Sequence, residues 1–264
     1  MRTPTPTPIA VGSLLVLAGL VAALAVREAP RAADERPLLV YVAASLRPAM
    51  TLVAKDYEAA TGTRVELRFG ASEDLLTRVE FPSAADPADV FLPADDSYLR
   101  IAGAKGLIAD TVPLSSMRAV LLLPPTNKQR IAMTGWADLI RPGSRVSLAN
   151  EGAAIGKVVR TRLTALGKWG ELEPNVIGAG TVTESANATP VGAVDAAIVW
   201  DAVARNYPMQ PTLELPELAD IRGGVKIARL KQSRHPDAAD FVKYVAGPGF
   251  ARFRELGFPE WRQP

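Results

Sequence analysis

From Leu38 onward, short runs of continuous apolar residues alternate with segments whose apolar positions recur every three to four residues. Leu38 to Val42 (LLVYV) has the unbroken apolar character of a strand buried on both faces. After Ser45 and Pro48, the spacing of Met50, Val53, Ala54 and Tyr57 predicts a helix that stops at Gly62. Arg64 to Phe69 predicts a strand, Asp74 to Val79 a helix, Asp89 to Leu92 a strand, and Asp95 to Ala104 a helix ended by Gly106. Strand and helix in regular alternation imply parallel strands joined by helical crossovers, an open α/β sheet.

A second block follows the polar stretch Pro113 to Ser116. Ala119 to Leu123 (AVLLL), Arg145 to Leu148, Ala196 to Trp200 (AAIVW) and Val225 to Leu230 read as strands. Ile155 to Leu166, Pro236 to Ala246 and Gly249 to Leu256 read as helices, the second with proline in a tolerated first-turn place. About 225 residues fit two α/β lobes better than one.

Before this stands a different kind of segment. Ile9 to Val26 is an uncharged stretch of 18 residues behind Arg2, with Ala23-Leu24-Ala25 as a plausible cleavage site. It also reaches the lower range for a membrane span. The expectation is export, with the segment either cleaved or retained as a tether, and residues 1–37 read as signal peptide or anchor plus linker.

Composition narrows the function. The 264 residues are 48% hydrophobic and 22% charged, with 30 basic against 28 acidic side chains. That rules out wholesale disorder, and no basic run suggests nucleic acid. There is no cysteine and a single histidine, His235, followed by Pro236. Disulfides, thiolate metal sites and cysteine nucleophiles are excluded, and a Ser/His triad has no visible context. An enzyme is not expected, nor a cofactor or a free cation site.

Open α/β sheets bind ligands beyond the carboxyl ends of their strands, where helix N-termini converge. Ala43-Ala44-Ser45 and Gly70-Ala71-Ser72 are two such junctions, each with small residues, free N–H groups and one hydroxyl able to hold an anion without a cationic side chain. Simple N-capping is the competing reading for each serine. Ala149 to Lys157 (ANEGAAIGK) offers further amides but lacks the spacing of a phosphate-binding Walker loop. Thr181 and Glu184 stand at capping-box spacing, and Trp200 closes the AAIVW strand as core or ligand contact.

Taken together, Val42-Ala43-Ala44-Ser45-Leu46, Phe69-Gly70-Ala71-Ser72, Pro87-Ala88-Asp89-Val90-Phe91 with Ala94-Asp95, the AAIVW strand, Gly247-Pro248 and Gly257-Phe258 resemble the periplasmic molybdate-binding proteins of ABC importers. The resemblance runs from Leu38 to Phe258. It implies a two-lobed type II periplasmic-binding fold, each lobe a mostly parallel sheet flanked by helices. Lobe I would take residues 38–118 and 224–264, and lobe II residues 119–223. The chain would then be a monomeric periplasmic receptor that traps molybdate or tungstate and delivers it to a membrane permease.

Carried over by position, the family's two serine contacts fall on Ser45 and Ser72, beside Ala44 and Ala71. Its second-lobe loop contact falls near Ile155, its helix-start valine on Val182 and its tyrosine on Trp200. Three departures follow: Trp200 offers an indole N–H in place of a phenol, Ala71 replaces a frequent serine, and Glu73 stands where a small neutral residue is usual. Glu73, Glu184 and Asp201 thus bring carboxylates near the expected pocket. Carboxylates repel an anion, so they motivate an alternative, an exported binding protein for a divalent cation or small organic solute using these three and Trp200. A related tungstate-binding branch uses carboxylates to complete its metal centre.

Overall fold

The computed structural model describes residues 36–83 and 87–261. The expected leader or anchor lies outside these residues, and among the described residues no helix is long and apolar enough to cross a membrane.

The first strand, β1 (Leu38–Ala43), is buried along its whole length. A 3₁₀ turn, Ala44–Leu46, leads into α1 (Arg47–Thr61). Ala49, Met50, Val53, Ala54 and Tyr57 form the inward stripe of α1, and Gly62 ends it at φ 78°, a left-handed conformation that glycine adopts without steric cost. Next come β2 (Val65–Gly70), α2 (Ser72–Glu80), β3 (Val90–Leu92) and α3 (Ser97–Ala104). Strands β2, β1 and β3 lie side by side and parallel.

The long strand β4 (Ile108–Leu122) follows, then α4 (Trp136–Leu139), β5 (Val146–Ala149), α5 (Ala154–Ala165), α6 (Trp169–Leu172), β6 (Val176–Ala179) and α7 (Val182–Asn187). After them come β7 (Ala196–Trp200), α8 (Asp201–Ala204), β8 (Thr212–Leu213), β9 (Arg222–Leu230), α9 (Ala238–Ala246) and α10 (Phe250–Glu255). Strands run in the order β2-β1-β3-β9-β4-β7-β5-β6, with β8 beside β4. Strands β7, β5 and β6 are mutually parallel, and β9 and β4 are an antiparallel pair between the two parallel sets.

β4 changes partner part-way along. Ile108 to Arg118 pair with β9, and Ala119 to Leu122 pair with β7. The structure corrects the sequence reading here, because the polar stretch Pro113 to Ser116 is the middle of a strand and not a connection. Pro113 contributes no N–H, a register shift follows it before Ser115, and the run from Ile108 to Val112 is half-exposed, so no apolar pattern marks it. β6 was also missed: it is a short edge strand whose Ile177 faces solvent.

Two capping expectations also change. Ser45 sits inside the 3₁₀ turn and caps nothing, and Ser72 is the first residue of α2 with Ala71 at the cap position. Thr181 does cap α7, accepting the Glu184 N–H at 3.2 Å, while the Glu184 carboxylate accepts the Gly180 N–H at 2.8 Å.

Each half carries a buried aspartate beside a strand start. Asp89 is fully buried and accepts from both terminal nitrogens of Arg36 at 2.8 Å, from the Leu39 N–H and from the Ser233 hydroxyl. Asp195 is 1% exposed and accepts from the Arg130 and Arg145 guanidiniums and the Arg145 N–H. Burial pushes both carboxyls up, but the arginines and N–H donors outweigh it and hold both below the usual carboxylate value.

Candidate functional site

Two sets of three parallel strands end at one place. β1, β2 and β3 deliver Ala43 to Ser45, Gly70 to Ser72, and Ala94. From the other side, the turns after β5 and β6 deliver Ala153 to Ile155 and Thr181 to Val182, and β7 ends in Trp200. These residues enclose a cavity of about 20 Å³, against the 10–15 Å³ that one water needs on the same measure. One compact solute fits. All seven of Ala44, Ser45, Ala71, Ser72, Ile155, Val182 and Trp200 stand in its wall.

The wall holds no ionisable side chain. Its polarity comes from hydroxyls and main-chain amides. The Ser45 hydroxyl is buried and has no hydrogen-bond partner, an unusual state, since buried polar groups are nearly always paired. The Ser72 hydroxyl accepts the Ala94 N–H at 3.2 Å, which leaves its own hydrogen free to donate. The first-turn amides of α2, α5 and α7 have no partner inside their own helices. Amides and hydroxyls around a space of this size form a receptor for a small anion.

Close backbone approach makes the geometry possible. A Cβ on Gly156 would lie 2.1 Å from the Asn150 carbonyl oxygen, so only glycine lets α5 start this near the β5 turn. Gly223 of β9 lies under the site: a Cβ there would meet the Ala94 oxygen at 2.8 Å and the Trp200 ring at 3.0 Å. Trp200 is thereby fixed between β9 and the cavity, fully buried.

The three carboxylates expected near the pocket are not in its wall. Glu73 donates its main-chain N–H to the Gly152 carbonyl at 3.0 Å, and its side chain is exposed beside Gly152. Glu184 is held by the Gly180 N–H, as above. Asp201 accepts from the Arg118 N–H at 3.1 Å, the Arg118 guanidinium at 3.3 Å and the Ala202 N–H at 2.9 Å. Next to Glu73, the buried Tyr98 phenol points at the Gly152 oxygen at 3.4 Å, and the Lys157 ammonium lies 4.9 Å from its ring. Burial first, then the charges of Glu73 and Asp95, push the Tyr98 phenol above its ordinary value.

Sequence reasoning passed over Ala94, Thr181 and the pair Ala153-Ala154 as wall residues. Ala94 was detectable only by position, as the carboxyl end of the third parallel strand.

Comparison with known proteins places these observations. A family model described as bacterial extracellular solute-binding protein matches residues 38–258. Molybdate-binding protein ModA of Escherichia coli is 29% identical over 240 residues, 86% of this chain and 90% of the relative. ModA of Mycobacterium bovis is 29% identical over 255 residues, 93% of this chain and 95% of the relative. Among solved structures, the periplasmic molybdate-binding protein of Azotobacter vinelandii superposes with a TM-score of 0.69 at 16% identity, covering 85% of this chain and 100% of its own. The sulfate-binding protein SubI of Mycobacterium tuberculosis gives 0.71 at 17% identity, covering 85% and 86%.

Proposed function

The chain belongs to the bacterial extracellular solute-binding proteins, and on that premise we propose that it captures molybdate or tungstate between the two halves of its sheet and passes it to an ABC-type membrane permease. The observation that carries the reading is the orphaned, buried Ser45 hydroxyl in a compact, uncharged cavity that the Ser72 hydroxyl also lines. A fully deprotonated tetrahedral oxyanion brings only acceptors, and each donor in the wall gains a partner when it enters. Protonated phosphate brings a hydrogen that a wall of donors leaves unmatched. The ModA relatives, each spanning most of this chain, support the same ligand.

Exclusion of Glu73, Glu184 and Asp201 from the wall argues against the cation or organic-solute alternative, since no carboxylate meets the guest. The role is binding, not catalysis. Residues 38–118 with 224 onward form one lobe and 119–223 the other, with Arg118-Ala119 of β4 and Gly223-Gly224 of β9 as the crossings about which they close. The Glu73 N–H to Gly152 bond is a contact of the closed state. The receptor works outside the cytoplasm.

Titration calorimetry tests this. Molybdate and tungstate bind one to one, with phosphate at least about a hundredfold weaker, a gap of roughly 2.7 kcal/mol. Absence of molybdate binding, or equal binding of phosphate, overturns the reading.

A further inference from the structure

Behind Ala94 and Asp95 lies a second, larger cavity of about 470 Å³, within the range of sites for small organic molecules. α3 forms one wall, α5 the other, and Ile221 to Gly224 at the start of β9 the floor. The first cavity does not reach it, and no residue is shared between the two walls.

Its charges do not balance internally. The lining brings Arg100, Lys157, Arg162 and Arg222 against Asp95, Asp96 and Asp220. The carboxylates are accounted for: Asp220 pairs with Arg162 at 2.8 Å, Asp96 with Lys226 at 2.8 Å and Arg100 at 3.5 Å, and Asp95, 7% exposed, accepts the Ser97 N–H at 2.9 Å. The lining carries four cations against three carboxylates, and two of the cations have no carboxylate partner. Among the described residues, Lys157 has only the Tyr98 ring near it, and Arg222 donates only to the Ala219 and Ile221 carbonyls. A separate observation points the same way: the Ser97 hydroxyl and the Arg162 Nε atom, both on residues of this lining, are buried without a hydrogen-bond partner.

We propose that this groove is a second binding site, for a small organic anion whose phosphate or carboxylate group meets Lys157 and Arg222 and whose polar remainder meets Ser97 and Arg162. Planar or tetrahedral oxyanions suit a guanidinium beside an ammonium. The proposal is independent of what the first cavity holds.

Calorimetry with glucose 6-phosphate and with gluconate separates the phosphate and carboxylate sources. The purified protein binds at least one of them one to one. In the Lys157→Met, Arg222→Gln double variant the affinity falls by about tenfold or more, and in the charge-conserving Lys157→Arg, Arg222→Lys variant it stays within roughly threefold. A Ser45→Ala, Ser72→Ala variant keeps the probe affinity. No binding of either probe, equal affinity in the charge-removed variant, or loss in the serine variant overturns the proposal.

Discussion

The Ser72 hydroxyl oxygen takes its hydrogen from the main chain of Ala94, 22 residues further on, at 3.2 Å. That bond uses only an acceptor lone pair, so the Ser72 O–H stays available to the cavity as a donor. Ser45, with no partner for its hydroxyl, depends on the guest to satisfy it.

The two serines therefore differ in a measurable way. Ser72→Ala removes a donor to the anion and also orphans the Ala94 N–H, so both affinity and melting temperature fall. Ser45→Ala lowers affinity by a comparable factor, about 1.5–3 kcal/mol or roughly ten- to a hundredfold, yet leaves the ligand-free protein as stable or stabler. Thermal melts with and without molybdate check the pair. Equal destabilisation of the ligand-free state by both changes would refute the distinction.

Gly223→Ala tests the support beneath the site. The added methyl meets the Ala94 oxygen and the Trp200 ring, so the variant loses about 1–3 kcal/mol of stability and displaces two wall residues at once. Molybdate affinity drops with it, while a methyl on Gly103, which meets no atom within 4 Å, has no effect on binding.

Glu73 is exposed at the mouth rather than in the wall, and its charge acts at a distance. Glu73→Gln raises the molybdate association rate by about two- to threefold at low salt, and the gain disappears above roughly 0.5 M salt as the Debye length contracts. Stopped-flow measurements across ionic strength decide it; a salt-independent change would place the carboxylate in contact with the ligand.

Acid stability follows from Asp89 and Asp195. Both carboxyls are held below the value of 3.8 that they start from, so the stability they contribute is fully present above that value and is lost as pH falls through their lowered folded values. The melting temperature holds from pH 8 to about pH 5 and declines below about pH 4. Asp89→Asn costs roughly 3 kcal/mol at neutral pH by removing the buried charge that accepts from Arg36, the Leu39 N–H and the Ser233 hydroxyl, and the gap to the native chain narrows at pH 3. A gap that widens in acid would contradict the sign.

Much of the site was legible because its chemistry is positional. Small residues between a strand and a helix mark a carboxyl-end junction whatever the ligand, and Ala44, Ser45, Ala71 and Ser72 share that pattern, whereas Ile155 and Val182 came only from the family resemblance. Trp200 was visible as the end of an apolar strand. The direction of the acidic side chains was not legible: Glu73, Glu184 and Asp201 are adjacent to wall residues in sequence, but Glu184 turns back onto the Gly180 N–H, Asp201 onto Arg118 and the Ala202 N–H, and Glu73 out to solvent. Half of β4 was hidden for a related reason. A strand that is partly exposed and broken by Pro113 carries no periodic apolar signal, although its hydrogen bonds tie the sheet together.

That tie governs how the molecule melts. One continuous β4 supplies the pairing edge for β9 on one side and β7 on the other, so neither half can lose its order while leaving the other a complete set of main-chain partners. Unfolding is therefore expected as a single cooperative event, with calorimetric and van't Hoff enthalpies in agreement, and the two sets of parallel strands share one hydrophobic core.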